Sequence, residues 1–507
     1  MKELLQDERY RYAALAALGL LLYLPAVFYG FSGMDDETLV AGALSLLAEP
    51  ARLPLAFASD AFNGAGAGYH YRPLLTLSLV WDAFLGGGAP GFFHFTNALL
   101  HGACCAALLF LLRSLGCGPR RAFAVSLLFC AHPLCAQAVA WVPGRNDLLL
   151  ALFSLLSAAF FARAARAGGR RDLALHLLCY ALALFTKESA AVLPPLLLLL
   201  SFALPGAGRL PARRAAAWWA ALTGGWLLAR ALALPAGGGQ TELMGNLPAL
   251  LSWLGKALFP FGLSTMPALA DLPPWPGAAA LALLAAGFAA GGESRLKLAG
   301  LAWLLLFLLP GLLRVKDLFP PEFSEHRAYA ALPGLALYLC ALRVPEALRR
   351  APAWAAHLPA LFLAALTLSG LPRFAGPLPF WESAVKGSPS SLLARTKLGT
   401  AYFGAGRHDM AAEQWRAGLR LAPGNAALLV NLGSAAYAAG RPAEALGLWE
   451  ESLRAAPGNA RALNNLALFW HEKKEPRRAA EFVRLLHASG RSAHPAIEAA
   501  AAPYLRR

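Results

Sequence analysis

Three neighbouring acids are the first residues in this sequence that could do chemistry. Asp35, Asp36 and Glu37 stand together directly after an apolar run of about twenty residues. A single carboxylate at such a place is usually a solvated loop residue or a helix cap. Three adjacent carboxylates can instead supply a general base that deprotonates a hydroxyl group. Asp35 and Asp36 also offer oxygen ligands for a hard divalent cation, Mg²⁺ or Mn²⁺, although the sequence shows no complete set of protein ligands and no certain cofactor.

Polar and charged residues also recur near the ends of the later apolar runs. Ionisable side chains are costly near a membrane and tend to mark a site or a pathway. The candidates for such a site are Arg72, His94, Asn97, His101, His132, Arg145, Asp147, Lys187, Glu188, Glu325, His326 and Arg327. His94, Asn97 and His101 have i, i+3, i+7 spacing and therefore share one helical face, although a single histidine there is more often a packing residue than a ligand.

Membrane helices must position these residues. Of the 507 residues, 58% are hydrophobic and 15% are charged, whereas a soluble chain has about a quarter charged residues. Apolar runs long enough to cross a bilayer recur through the first three quarters of the chain. We predict an all-α polytopic membrane protein with about eleven transmembrane helices. The predicted spans are 12–31, 94–115, 122–142, 148–166, 173–186, 189–204, 215–234, 275–291, 298–312, 328–342 and 353–371.

Basic clusters predict the orientation of these spans. The net charge of +16 comes from short Lys and Arg clusters between apolar runs, which excludes nucleic-acid binding and indicates cytoplasmic loops. The clusters contain Arg9, Arg11, Arg120, Arg121, Arg163, Arg166, Arg170, Arg171, Arg209, Arg213, Arg214, Arg295, Lys297, Arg343, Arg349 and Arg350. The loops between them, and the chain after residue 371, then face outside. These outer loops are 33–73, 143–147, 186–189, 235–274 and 320–329.

Three shorter features complete the description of the membrane part. The apolar segment 74–85 is too short to span and contains Asp82, which predicts an interfacial or re-entrant helix. Asp7 and Glu8 interrupt the basic region before the first run, so we expect a retained helix rather than a cleaved signal. The seven cysteines have neither the spacing of a zinc site nor that of a disulfide framework.

The last part of the chain is repetitive. The motif APGNA occurs at 422–426 and again at 456–460, and Trp381, Trp415 and Trp449 keep the same 34-residue interval. With Leu-Gly pairs at 398–399 and 432–433, this is the tetratricopeptide pattern. We predict two full repeats and a weaker third, which bind a peptide or protein, or else serve only in packing. The predicted divisions are a transmembrane domain at 1–371, a half repeat at 372–391, full repeats at 392–459, a third repeat at 460–490, and a tail to 507.

Acids and cations together at an outer membrane face suit the transfer of a sugar from a polyprenyl phosphate. The acceptor hydroxyl needs a carboxylate base. The leaving phosphate needs a cation or a metal ion as charge develops, and the lipid tail needs an apolar groove among helices. A transporter would instead place its acids near the middle of the bilayer, often in two related halves, and the acids here lie at one rim.

The order of motifs along the chain resembles that of a known family. MDDE, YRPLLTLSLVWD, FFHFTNALLHG, AHPLCAQAVAWVPGRNDLL, LFTKESAAVLP and EHRAYAALPG follow one another before the repeats. This succession resembles the transmembrane-and-tetratricopeptide-repeat family of O-mannosyltransferases and its bacterial relatives, which are similar to GT-C glycosyltransferases. The resemblance implies a GT-C-like membrane domain followed by a short repeat solenoid, and a membrane hexosyltransferase that transfers the sugar with inversion.

The same resemblance implies roles for individual residues. The acidic element of the family falls on Asp35 and Asp36, and Glu37 leaves open which acid is the base. Arg327 in EHRAY is the first candidate for the donor phosphate, followed by Lys187 of TKE and Arg72 of YRP. The implied partners are the lipid bilayer, a polyprenyl-phosphate sugar donor and a peptide or protein acceptor.

The composition, rich in Ala, Leu, Gly and Arg, favours a bacterial inner membrane with the repeats in the periplasm. A eukaryotic protein would have the same topology in the endoplasmic reticulum membrane. Two alternative functions stay open. One is a non-catalytic membrane-anchored scaffold whose repeats recruit an envelope assembly, and the other is a flippase for lipid-linked sugars.

Overall fold

The computed structural model describes residues 8–62, 70–204, 210–234, 243–313, 322–344 and 352–505. In these segments the regular structure is helical, with two isolated β-bridges, Ala268 to Glu322 and Gly292 to Leu342. The chain divides into two compact units, Met1–Ser383 and Ala384–Arg507. The prediction of an all-α fold is confirmed.

Sixteen described α-helices lie in the first unit. They are α1 (Glu8–Tyr23), α2 (Asp36–Ala48), α3 (Pro73–Gly86), α4 (Pro90–Ser114), α5 (Pro119–Ala131), α6 (Cys135–Ala140), α7 (Arg145–Ala167), α8 (Arg170–Thr186), α9 (Leu193–Ala203), α10 (Leu210–Ala233), α11 (Leu243–Asn246), α12 (Pro248–Leu258), α13 (Trp275–Ala289), α14 (Ser294–Leu308), α15 (Leu332–Ala341) and α16 (Leu358–Gly370). Helix α17 (Pro377–Gly387) contains the boundary between the units.

Five helical segments are long and apolar enough to cross a bilayer. They are Glu8–Phe28, Pro90–Ser114, Val142–Ala167, Ser294–Leu312 and Trp354–Phe374. The chain is an integral membrane protein. Shorter apolar helices, such as Pro73–Gly86 and Leu332–Ala341, lie between them. The count of eleven spans and their orientation stay predictions.

Prolines divide two of the predicted spans. The predicted span 122–142 is two helices, because α5 ends at Ala131 and α6 begins at Cys135 after a turn that contains Pro133. A proline ring cannot continue the hydrogen-bond ladder of a helix. The predicted segment 189–204 likewise starts as a short 3₁₀-helix, Glu188–Val192, before α9. Both breaks place polar residues at helix ends.

Close helix crossings in the membrane unit use glycine. A Cβ atom on Gly102 of α4 would lie 2.4 Å from the carbonyl oxygen of Ala16 on α1. A Cβ atom on Gly334 of α15 would lie 2.4 Å from the nitrogen of Leu304 on α14. Small residues let helix backbones approach in membranes, where packing rather than the hydrophobic effect holds helices together.

Two of the predicted cytoplasmic basic residues bind the carbonyl ends of neighbouring helices. Arg121, at the start of α5, donates to the carbonyl oxygens of Cys340 and Leu342 at the end of α15. Lys297 of α14 caps α13 by donating to the carbonyl oxygen of Phe288 at 2.6 Å. Arg209, Arg349 and Arg350 lie outside the described residues, as do 235–242 of one predicted outer loop and 320–321 of another.

The second unit contains three complete helix pairs and a final helix. They are α18 (Leu392–Gly404), α19 (His408–Leu421), α20 (Ala426–Ala438), α21 (Pro442–Ala455), α22 (Ala460–Glu472), α23 (Pro476–Ala488) and α24 (Pro495–Leu505). Ser391, Asn425 and Asn459, each 34 residues apart, cap the first helix of each pair through side-chain oxygens. The predicted third repeat therefore forms a pair like the other two.

The Leu-Gly pairs are explained by tryptophan packing. A Cβ atom on Gly399 would lie 2.3 Å from Nε1 of Trp415, and one on Gly433 would lie 2.4 Å from Nε1 of Trp449. Each indole instead donates to a backbone carbonyl of the first helix, Trp415 to Thr396 at 3.0 Å and Trp449 to Val430 at 3.2 Å. Only glycine leaves room for this contact.

Candidate functional site

The acidic triplet lies at the start of α2. Asp36 is the first residue of the helix, and Asp35 is its N-cap residue. The three side chains differ in exposure, since Asp36 is 1% exposed, Asp35 is half-buried and Glu37 is exposed. The sequence left open which of these acids is the base, and in the fold Asp36 is the buried one.

Asp36 is held by Ser32, one turn earlier. The backbone N–H of Ser32 donates to Asp36 Oδ2 at 2.6 Å, and the Ser32 hydroxyl donates to the same oxygen. Burial raises the pKa of Asp36, the bonds from Ser32 oppose this rise, and the charges of Asp35 and Glu37 add to it. The resulting pKa is about 7, which suits a general base at neutral pH.

Trp141 connects the acid to a later segment of the chain. Its indole N–H donates to Ser32 Oγ at 3.1 Å, and its ring centroid lies 5.1 Å from that of His326. His326 belongs to the 3₁₀-helix Glu325–Ala328, which also carries Arg327. Gln137 of α6 fixes this helix by accepting the backbone N–H of His326 at 3.0 Å.

Lys187 and Asp147 form a buried ion pair beside this segment. Lys187 Nζ lies 2.7 Å from Asp147 Oδ1, with side-chain exposures of 9% and 2%, and it also donates to Asn146 at 3.1 Å. His326 Nε2 lies 4.0 Å from the other carboxylate oxygen of Asp147. Burial lowers the pKa of Lys187 despite the raising effect of Asp147.

Arg72 and Glu188 form a second ion pair, which is bidentate. Arg72 donates from Nη2 to Oε1 at 2.8 Å and from Nε to Oε2 at 3.3 Å. Burial acts to raise the pKa of Glu188, but the charge and hydrogen bonding of Arg72, together with the charges of Lys187 and His70, lower it well below its usual range. The Glu188 side chain is 41% exposed, so water screens this pair more than it screens Lys187 and Asp147.

Arg327 lies close enough to act electrostatically on both His70 and Lys187. The pKa of His70 is lowered to about 3, first by Arg72, then by burial, and further by Lys187 and Arg327. Arg72 and Arg327 also lower the pKa of Lys187, after the larger effect of burial. The three predicted phosphate-binding cations therefore lie within electrostatic reach of the same neutral histidine, although they come from three distant segments of the chain.

Other predicted site residues are tied into the interior. Arg145 is fully buried and pairs with Asp82 at 2.5 Å, while it donates to the side chain of Asn97 at 2.8 Å and to the carbonyl oxygen of Phe93 at 2.7 Å. Asn97 in turn donates to the carbonyl oxygen of Val139 at 3.2 Å. These contacts join α3, α4 and α7 through Asp82, Asn97 and Arg145, a set that we call the Arg145 network. Contact of Arg145 or Asn97 with a substrate stays a prediction.

The histidines of α4 and α5 also have internal partners. His94 Nε2 donates to the carbonyl oxygen of Gly30 at 3.3 Å, and His132 Nε2 donates to that of Ala257 at 3.1 Å. His101 Nε2 donates to the carbonyl oxygen of Cys130 at 3.0 Å, and its Nδ1 lies 2.8 Å from the hydroxyl of Tyr329. The predicted common face of α4 is therefore buried rather than open.

Within the described residues, one group of side chains is spaced to share a metal ion. His101, Cys105 and Cys130 place their ligand atoms within 4.8 Å of one another. This group lies among the membrane helices and does not include Asp35 or Asp36. Both ring nitrogens of His101 already have hydrogen-bond partners, so the group as it stands is a packed polar cluster.

An apolar cavity of about 340 Å³ lies between α5, α12, α13 and α15. Val125, Leu258, Leu284 and Leu335 are among the residues that line it. Its lining runs from His132, at the end of α5, to Leu342, beyond α15 and near the basic ends. The cavity has the apolar lining that a hydrocarbon chain requires.

Several residues that organise the site are not evident from residue type. Ser32, Trp141 and His70 are uncharged or stand out only as parts of longer motifs, so a search for charged residues does not select them. Lys256 of α12 lies inside an apolar stretch and pairs with Glu325 at 2.8 Å. The buried lysine was a signal in itself, because a lysine in such a stretch needs a buried partner.

Comparison with known proteins begins with the second unit. A family model described as Tetratricopeptide repeat matches residues 396–460 and 430–494. Residues 396–494 are tetratricopeptide repeats. The prediction from the 34-residue period is thereby confirmed.

Curated proteins similar to this chain are O-mannosyltransferases. Protein O-mannosyl-transferase TMTC2 of Mus musculus is 33% identical over 145 residues, which is 28% of this chain and 17% of that protein. Protein O-mannosyl-transferase Tmtc2 of Drosophila melanogaster is 32% identical over 183 residues, which is 34% of this chain and 20% of that protein. The predicted resemblance is confirmed, and the chain matches a fifth or less of the length of these relatives.

Solved structures matched to this chain include ArnT from Cupriavidus metallidurans. The form bound to undecaprenyl phosphate has a TM-score of 0.45 and 15% identity, covering 90% of this chain and 80% of that chain. The apo form has a TM-score of 0.47 and 14% identity with the same coverage. Both TM-scores lie below 0.5.

Proposed function

We propose that this protein is a membrane glycosyltransferase that transfers a sugar from a polyprenyl-phosphate donor to a hydroxyl acceptor. One observation carries the proposal: a buried carboxyl with a pKa of about 7 is joined through Ser32 and Trp141 to the segment that bears Arg327. Arg327, Lys187 and Arg72 act electrostatically on one histidine. A base and a phosphate site are the two parts that the reaction needs.

Asp36 is the base in this proposal. The acceptor hydroxyl gives its proton to Asp36 Oδ1, since Ser32 binds Oδ2, while the hydroxyl oxygen bonds to the anomeric carbon. The bond from that carbon to the phosphate oxygen breaks, and its electron pair leaves with polyprenyl phosphate. Attack opposite the leaving group inverts the configuration, and Asp36 later releases its proton to water.

Arg327 binds the donor phosphate, with Lys187 and Arg72 beside it. Their counter-ions, Asp147 and Glu188, hold the two side chains in place before the donor arrives. Preorganised cations stabilise the charge that grows on the leaving phosphate without having to reorient during the reaction. His326 and Glu188 complete the wall of this phosphate site.

The apolar cavity receives part of the isoprenoid chain of the donor. A polyprenyl tail buried among α5, α12, α13 and α15 would leave its headgroup at the membrane boundary, and His132 lies in the cavity lining. Burial of each methylene group contributes about 0.8 kcal/mol. The donor therefore gains affinity from the tail and specificity from the phosphate.

The repeats position the acceptor, and we infer a peptide or protein because the similar curated proteins are named protein O-mannosyl-transferases. Mannose is the sugar that these names favour. The distribution of basic loops supports a site on the periplasmic face of a bacterial inner membrane, or on the lumenal face of the endoplasmic reticulum in a eukaryote.

A divalent cation is a secondary part of the proposal. Asp35 and Asp36 offer carboxylate oxygens, the ligand type that Mg²⁺ and Mn²⁺ prefer. Ser32 already occupies Asp36 Oδ2, so Asp35 and Oδ1 of Asp36 would be the protein ligands. In this version Asp36 would orient the acceptor rather than take its proton. The reaction above needs only the cationic side chains, and a chelator test with EDTA separates the two versions.

The testing experiment uses purified protein in lipid nanodiscs and a panel of polyprenyl-phosphate hexoses, and it follows release of polyprenyl phosphate with an acceptor peptide present. We expect release with at least one donor and its loss in Asp36→Asn. Movement of intact donor between leaflets of proteoliposomes, without release, would favour the flippase. Neither release nor movement, with protein partners still recruited, would favour the scaffold.

A further inference from the structure

Among the described residues, a serine and a tryptophan support the acid of the proposed site. Ser32 is 3% exposed and Asp36 is 1% exposed, while Trp141 is 5% exposed. Ser32 makes two contacts to Asp36, from its backbone N–H and from its hydroxyl. Water is therefore largely kept from the carboxyl oxygen that Ser32 binds.

The direction of the serine hydroxyl is fixed by Trp141. An indole N–H can only donate, and it donates to Ser32 Oγ at 3.1 Å. The hydroxyl proton of Ser32 is then free to point at Asp36 Oδ2, which accepts it. The order of donation runs in one direction, from tryptophan to serine to the carboxyl group.

Trp141 is itself held by the Arg145 network. Asn97 Nδ2 donates to the carbonyl oxygen of Trp141 at 3.2 Å, and Arg145 fixes Asn97. On its other side the indole ring packs against His326 at 5.1 Å between centroids, directly before Arg327. Trp141 therefore contacts both the support of the acid and the segment of the phosphate site.

We propose that Ser32 and Trp141 are positioning residues that orient the Asp36 carboxyl for the transfer reaction. The inference depends on the proposed function, because it gives the base of that reaction its orientation. Neither residue touches the reacting atoms. They act through the hydrogen-bond chain that ends on Asp36.

Other charged groups lie on α2 itself and on the elements packed against it. Asp35 and Glu37, on the same element, raise the proton affinity of Asp36. On the 3₁₀-helix Pro50–Phe57, Arg52 pairs with Glu49 at 2.9 Å. On α3, which also packs against α2, Asp82 pairs with Arg145. Among these influences, the hydrogen bonds from Ser32 are the ones that lower the proton affinity of Asp36.

The experiment measures kcat/KM for donor turnover between pH 5 and pH 10. Ser32→Ala removes a donor to the charged carboxylate, so the ascending limb should move up by about one pH unit or more. Activity near pH 6.5 should fall about tenfold and return to the wild-type plateau above pH 9. Ser32→Thr, which keeps a hydroxyl, should retain the wild-type limb.

Trp141→Phe keeps an aromatic ring against His326 but loses the N–H. The ascending limb of its pH profile should move in the same direction by a smaller amount. The double variant Ser32→Ala/Trp141→Phe should show no further shift, because Ser32→Ala has already removed the hydrogen-bond chain. Trp219→Phe is the matched control, because Trp219 donates to His176 at 2.8 Å, away from Asp36. Its limb should not move.

Failure of the proposed function and failure of the positioning role give different results. If wild-type protein turns over no donor, the proposed function fails. If wild-type protein is active but Ser32→Ala lowers activity equally at every pH, or Trp141→Phe adds its full effect to Ser32→Ala, the positioning role is overturned while the enzyme assignment stands.

Discussion

Lys187 Nζ lies 2.7 Å from Asp147 Oδ1, and both side chains are almost fully buried although they are 40 residues apart. The pair joins the end of α8 to the start of α7. It places a compensated cation next to His326 and within electrostatic reach of Arg327. A phosphate bound here, as we propose, would meet charges that the protein has already balanced.

Breaking this pair on one side should be more harmful than removing it. Lys187→Met leaves the buried carboxylate of Asp147 without its partner, which should cost about 3–5 kcal/mol of unfolding free energy. Lys187→Met combined with Asp147→Asn should recover most of that loss. Thermal unfolding in detergent measures both, and a double variant as unstable as Lys187→Met would show that the pair contributes little.

The acids should separate in catalysis according to burial. Asp36→Asn should lower kcat at least about 100-fold, because a positioned general base contributes about that factor or more. Glu37→Gln, on an exposed side chain one residue later, should stay within about twofold of the wild type. Equal losses in both variants would mean that the triplet acts as a group and that Asp36 is not the base.

The raised pKa of Asp36 also predicts a pH dependence of stability. An aspartate in the unfolded chain has a pKa of about 3.9, whereas Asp36 in the folded protein has a pKa of about 7. The folded protein binds the extra proton between these values, so raising the pH through this window lowers the unfolding free energy.

Asp36→Asn removes this titration. Its melting temperature should exceed that of the wild type at pH 8, and the difference should shrink as the pH falls toward 5. Melting curves at a series of pH values provide the measurement. A difference that is constant with pH would argue that Asp36 titrates normally.

The repeats should tolerate a new side chain only where no tryptophan packs. Gly433→Val brings a Cβ atom to 2.4 Å from Trp449 Nε1, so it should destabilise the repeat unit by about 1–3 kcal/mol or more. Gly447→Ala on α21 meets nothing within 4 Å and should be neutral or slightly stabilising. Limited proteolysis of the full protein reports both, and similar cleavage of the two variants would count against this packing.

Much of the architecture could be predicted because it follows from spacing. A 34-residue interval locates the repeats, and apolar runs locate the membrane helices. The ends of the helices were harder to predict from the sequence, because Pro133 divides one predicted span into α5 and α6. The family resemblance selected Arg327, Lys187 and Arg72, and the fold brings all three within electrostatic reach of His70.

The roles of individual polar residues could not be predicted in the same way. Arg145 looked like a site residue, and its partner Asp82 stands 63 positions earlier, a pairing that no local pattern encodes. Ser32 and Trp141 carry no charge, so only their contacts reveal their connection to Asp36. Long-range contacts, rather than composition, decide which polar group is structural and which can reach a substrate.

The most direct test is a cryo-electron microscopy structure of the full chain in nanodiscs that contain polyprenyl phosphate. The account predicts density for the phosphate against Arg327, beside Lys187 and Arg72, with the isoprenoid chain in the cavity between α5 and α15. Lipid phosphate bound only at the basic ends near Arg121, with the site around Arg327 closed to it, would contradict the account.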